Sequence, residues 1–145
     1  MHKALNIGDQ ILLTLWVGGM WSIGYIVAPV LFSVIDDRQQ AGLIAGHIFT
    51  AMSIIGLICG VSLLLSNLFQ HPIAKNWRAA VLVLMLVLIS ISQFVIQPIM
   101  ADLKAQGLVQ GSEQAIQFGR MHGVSSVLFL ITSIAGLILV ISPRK

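Results

Sequence analysis

The sequence predicts an all-α integral membrane protein, a four-helix bundle set in a lipid bilayer. Two observations carry this. Of 145 residues, 57% are hydrophobic and only 9% are charged, too little charge to cover a water-soluble domain of this size. The apolar residues also fall in four long blocks, about 11–32, 41–69, 79–101 and 120–142. A block of roughly 18 or more apolar residues crosses the hydrocarbon core as a helix. Lipid offers the backbone no hydrogen bonds, so each block is expected to be helical. The chain reads as one domain, 1–145.

The first block follows Lys3, as the core of a signal peptide would. It is too long for that, and no small-x-small site closes it, so this helix is expected to stay in the mature protein. Pro29 lies near its far end. The second block holds the only cysteine, Cys59, which excludes an intrachain disulfide and a cysteine-based zinc site. It also carries Gly42 and Gly46, then Gly56 and Gly60, and the fourth block carries Gly119 and Gly123. Glycines four apart let helices approach closely, so these faces suit packing against another helix of the chain or, in a homo-oligomer, against a second copy.

The third block opens on Trp77 and Arg78, an interfacial anchor, and ends near Pro98. Prolines at the same end of the first and third helices would either kink them and leave room for a polar pocket, or only unwind the helix ends with no pocket. The connection 102–119 is the longest and most polar. Ser112 before Glu113 reads as a helix cap, so the fourth helix is expected to begin before its apolar block. Ser53-Ile54-Ile55-Gly56-Leu57-Ile58 is echoed by Ser133-Ile134-Ala135-Gly136-Leu137-Ile138, which would suit a duplicated hairpin.

Four crossings in up-down, antiparallel order put both chain ends on one side. That side carries Lys3, Lys75, Arg78, Arg144 and Lys145; the other carries Arg38, Lys104 and Arg120. The excess of Lys and Arg near the spans predicts cytoplasmic termini. The basic residues sit beside apolar blocks, where they orient a membrane protein. They do not form a nucleic-acid surface.

Polar groups at membrane depth cost energy and mark function or helix contacts. Under this topology they gather in the outer half: Tyr25, His47, Gln93, Gln97, Arg120 and His122. The inner half shows little beyond Thr14, Ser62 and Ser66. These six residues are the candidate ligand-binding set. His47 and His122, with Met121, are the candidate metal set, since histidine is the commonest metal ligand and methionine suits copper(I). Copper or haem handling is one reading. A pocket for a small polar or amphipathic ligand, or a proton path, is a second. In a third the groups hydrogen-bond one another and hold the bundle or a partner together. No Gly-x-Ser-x-Gly elbow and no phosphate-binding glycine loop is present, and enzymatic activity is not expected.

Several motifs carry a family resemblance. Gly18-Gly19-Met20-Trp21 followed by Ala28-Pro29-Val30-Leu31-Phe32 resembles the first helix of the transmembrane protein 205-like family, the bacterial domain of unknown function 4149. Ala41-Gly42 with Ile48-Phe49 resembles its second helix, and the run Phe118 to Ser126 its last. The family is also distantly similar to copper-resistance D-type membrane proteins and to a four-helix haem-synthesis oxidase. The resemblance implies a multi-pass protein of the bacterial inner membrane, without an established activity, and favours copper or haem. The first-helix histidine of those relatives has no counterpart, because His2 precedes the span.

Overall fold

The computed structural model describes residues 2–70 and 76–142, with side chains from Ile7 onward. Lys75, Arg144 and Lys145, and the side chain of Lys3, on which the charge count leans, lie outside the described residues. Among the described residues all regular structure is helical. Four helices are long and apolar enough to cross a membrane: α1 Ile7–Val34, α2 Arg38–Gln70, α3 Trp77–Ala105 and α4 Glu113–Ile141.

Three of the helices, α2, α3 and α4, begin before their apolar blocks, on capped polar residues. Asp37 Oδ1 accepts from the backbone N–H groups of Gln39 and Gln40, at 2.8 and 3.3 Å, and so starts α2. Asn76 caps α3 by accepting from Ala79 N–H at 3.2 Å. Ser112 Oγ accepts from Ala115 N–H at 3.2 Å, and α4 starts at Glu113, where the cap signal puts it.

Only 17% to 28% of each helix's most apolar window is buried inside the bundle. Most of the hydrophobic residues therefore face outward, among them Ile26, Ile58, Phe94 and Val127. Helices apolar all round, with the greater part of that surface uncovered, need hydrocarbon as their solvent. The protein is a multi-pass membrane protein.

The interior is built on Trp16, which is 1% exposed. A Cβ added at Gly60 would lie 2.8 Å from the Trp16 ring and 2.7 Å from Leu86, and one at Gly56 would also meet the indole. The second glycine pair of α2 thus seats a large side chain. It does not bring two backbones together. Met20, Met52, Met85 and Leu139 complete the packing around Trp16. Gly136 of α4 does for Val17 what Gly56 does for Trp16: an added Cβ would stand 2.9 Å from Val17. At Gly119 and Gly123 an added Cβ would meet nothing within 4 Å, and both are exposed.

Contacts pair early residues of one helix with late residues of the next. Ser66 Oγ donates to Asp9 Oδ2 at 2.8 Å, joining α2 to α1. Lys104 Nζ donates to Gly42 O at 3.3 Å, joining α3 to α2. Arg78 donates to Ser142 O at 2.9 Å and Leu139 O at 3.1 Å, joining α3 to the end of α4. Trp21 Nε1 donates to Ser133 O at 3.2 Å and closes α1 onto α4.

Two helices are not uniform. α1 contains a π turn at Ile23–Val27 and α3 one at Ser92–Ile96. Pro29 and Pro98 each follow by one intervening residue. A proline ring crowds the carbonyl four residues earlier, here Tyr25 and Phe94, and removes one donor. The widened turn is where the helix absorbs this. The same device, a π turn followed by proline, thus occurs in both α1 and α3.

One expectation needs correcting. The end of the bundle near the chain termini is not sparse in polar groups. Asp9 is buried, held by Ser66, which also accepts from Gln70 Nε2 at 2.9 Å. Asn76 donates to buried Asn67 beside them. These residues lie outside the apolar blocks or at their edges, so a search confined to membrane depth passes over them.

Candidate functional site

Between the four helices, at the level of the two π turns and on either side of it, lies a cavity of about 730 Å³. Its size falls within the range of roughly 300–1,000 Å³ that encloses a small molecule. All four helices line it. The floor is apolar: Trp16, Met20, Met52, Ile89 and Leu128. An aromatic wall follows, with Phe49 and Phe129 edge to face at 5.5 Å and Tyr25 against Phe129 at 5.8 Å. The cavity reaches the end of the bundle at Arg38, Gln39, Lys104, Leu108 and Phe118.

Small residues make this volume. Gly42 and Gly46 of α2 line the cavity, and a Cβ at Gly46 would meet nothing within 4 Å. The first glycine pair therefore lines a space, whereas the second is filled by Trp16. At Gly24 an added Cβ would collide with the Phe129 ring, so this glycine lets the aromatic wall close against α1.

Polar groups along the walls are largely paired with one another. Ser133 Oγ donates to Leu130 O at 2.9 Å, so the Tyr25 hydroxyl, 2.7 Å away, is the donor to Ser133 Oγ. Ser92 and Ser125 hydroxyls meet at 3.3 Å between α3 and α4. Ser126 Oγ turns back to His122 O at 2.9 Å. At the mouth, Lys104 Nζ stands 5.4 Å above the Phe118 ring, and the His122 imidazole, one turn further along the same face of α4, stacks with its centroid 6.2 Å from that of Phe118.

The six candidate ligand residues separate on this geometry. Tyr25, Gln97 and His122 line the cavity. His47, Gln93 and Arg120 do not, nor does Met121. His47 is exposed and lies off the cavity lining. Arg120 is exposed as well. Gln93 sits in the π turn of α3, and its Oε1 is buried without a hydrogen-bond partner among the described residues. Among the described residues no three His, Cys, Asp or Glu side chains come together as a metal site.

Reading the sequence missed Arg38, Lys104, Phe129 and the glycines that make the space. A signal for some of them was present. Carried outward from the Ser-Ile-x-Gly-Leu-Ile echo, the same register aligns Phe49 with Phe129, Gly42 with His122 and Arg38 with Phe118, and all six line the cavity. Lys104 follows the apolar block and looked like a loop residue.

The profile of a family described as a domain of unknown function, DUF4149, matches residues 11–108. The match takes in α1, α2 and α3 and stops before α4, so His122 lies beyond it. No curated protein and no solved structure matches the chain.

Proposed function

Because the chain belongs to the DUF4149 family, whose description assigns no activity, we propose a function from the cavity: the protein binds one amphipathic small molecule between its four helices. The observation that carries this is a single space with an apolar floor and a polar mouth, lined from every helix. Apolar walls with a few convergent polar groups are the usual make-up of a small-molecule site. A body of acyl-chain width fits beside Trp16 and Met52, with its polar end near Gln97 and His122. The lining hydroxyl of Ser126 donates to the His122 backbone carbonyl, and binding is the proposed activity.

The finer parts of the reading are proposals too. The whole chain acts as one domain of a bacterial inner-membrane protein, antiparallel throughout, with both ends cytoplasmic. The mouth then opens toward the outer leaflet. The exposed strip at Gly119 and Gly123 is the face offered to a second copy. Likeness to transmembrane protein 205-like and copper-resistance proteins rests on the sequence motifs alone. Copper or haem handling would need His47 and His122 in one site, and only His122 lines the cavity. A colourless, metal-free preparation is therefore expected.

The test uses a neutral polyene, the methyl ester of cis-parinaric acid, added to the full chain in mild detergent. Energy transfer from Trp16 and Trp21 to the polyene reports occupancy. Saturable transfer, lost in Gly46→Leu, is expected, because Gly46 lines the cavity and a side chain starting there has open space around its Cβ. Transfer that only follows the micelle concentration, and is the same in Gly46→Leu, would falsify the reading.

A further inference from the structure

The mouth of the cavity is charged in one sense. Its lining includes Arg38 and Lys104 and no Asp or Glu. Acids do occur at this end of the bundle, but each lies off the lining. Asp36, Asp102 and Glu113 are exposed, and Asp37 is engaged at the α2 cap. Among the described residues no carboxylate pairs with Arg38 or Lys104.

Lys104 is the more informative of the two. It is half-buried, and its ammonium is held inward by Gly42 O at 3.3 Å and over the Phe118 ring at 5.4 Å. A lysine on the last turns of a membrane helix ordinarily extends to the aqueous boundary, with its stem covering apolar surface. This one turns into the cavity. An ammonium has three donors, and one backbone carbonyl engages only one of them. A Cβ at Gly42 would stand 4.0 Å from Nζ, so the ammonium lies directly against this turn of α2.

From this we infer that the guest of the cavity is an anion: a single-tailed amphiphile with a carboxylate or phosphate-monoester head held by Lys104 and Arg38. This rests on the cavity being a binding site, as proposed above, and specifies its ligand class. A cation or zwitterion would place positive charge against two unpaired cations. A neutral head would leave the remaining Lys104 donors without a charged acceptor. A charge-assisted bond is roughly twice as strong as a neutral one, so the head group decides among tails of similar length. A space of about 730 Å³ suits a guest with a single chain.

The experiment compares cis-parinaric acid with its methyl ester at mildly alkaline pH, where the free acid is ionised. Wild type is expected to bind the acid about tenfold or more tightly. Lys104→Gln is expected to weaken the preference several-fold, and Lys104→Gln combined with Arg38→Gln to erase it, so that acid and ester bind alike. Lys104→Arg, which keeps the charge, is expected to restore it and guards against a folding effect. Palmitate and hexadecyl phosphate are then used as competitors, with hexadecanol as the neutral control. Displacement by either anion and not by hexadecanol supports the inference, and the stronger competitor identifies the head. Equal affinity for acid and ester in wild type, or displacement by hexadecanol as effective as by the anions, overturns it while the cavity reading stands. Failure of the ester to bind at all is the separate failure of the cavity reading.

Discussion

The two glycine pairs of α2 lie on one helix yet face opposite situations, and exchanging one glycine from each for alanine separates them. At Gly60 the added methyl would lie 2.7 Å from Leu86 and 2.8 Å from Trp16. Trp16 is 1% exposed and has nowhere to retreat. At Gly46 the methyl would meet nothing within 4 Å. The intrinsic helix benefit of alanine over glycine, about 1 kcal/mol in water, is common to both variants and cancels in their difference. What remains is the cost of overpacking, about 1–3 kcal/mol, which corresponds to about 5- to 150-fold in the folding equilibrium. Unfolding in mixed micelles, followed by the emission of buried Trp16, measures both variants. Gly60→Ala is expected to be the less stable by that margin. If the two agree within about 0.5 kcal/mol, the seating of Trp16 on α2 is wrong, and the core with it.

Other perturbations follow from the same contacts. Arg78→Ala removes two charge-assisted bonds to Leu139 O and Ser142 O. A stability loss of about 1.5–3 kcal/mol is expected, with faster amide exchange confined to the last turn of α4; uniform exchange along α4 would count against the assignment. Tyr25→Phe removes the bond to Ser133 and is expected to cost on the order of 0.6 kcal/mol. A loss several times larger in the same titration would mean that the hydroxyl does more than join two helices. Gln93→Leu deletes an acceptor without a partner, so stability is expected to hold or rise. A clear loss would reveal a donor at that site.

Much of the fold was legible because lipid removes choices. A run such as Ala79 to Ile91 has no soluble conformation that hides it, so span number and helical form follow from composition and length. The Ser112 cap was legible for a local reason, since its geometry needs only the next three residues. The site was harder. Tyr25, Gln97 and His122 were found because polar groups in apolar helices stand out. His47 stands out equally, yet lies off the cavity lining, because rotation about the helix axis is set by packing partners that sequence does not name. The apolar lining was invisible for the opposite reason: Met52 or Leu128 looks like any other core residue. Glycine spacing misled in part. Gly42 with Gly46 and Gly56 with Gly60 have the same signature, and only the position of Trp16 makes one pair a seat and leaves the other as open volume.

Native mass spectrometry of the full chain released from its own membrane tests the central claim most directly. Wild type is expected to carry one small amphiphile per chain through gentle delipidation, and Gly46→Leu to carry none while remaining folded. Identical spectra for the two proteins, both bare or both bearing the same guest, would contradict a ligand held in that cavity.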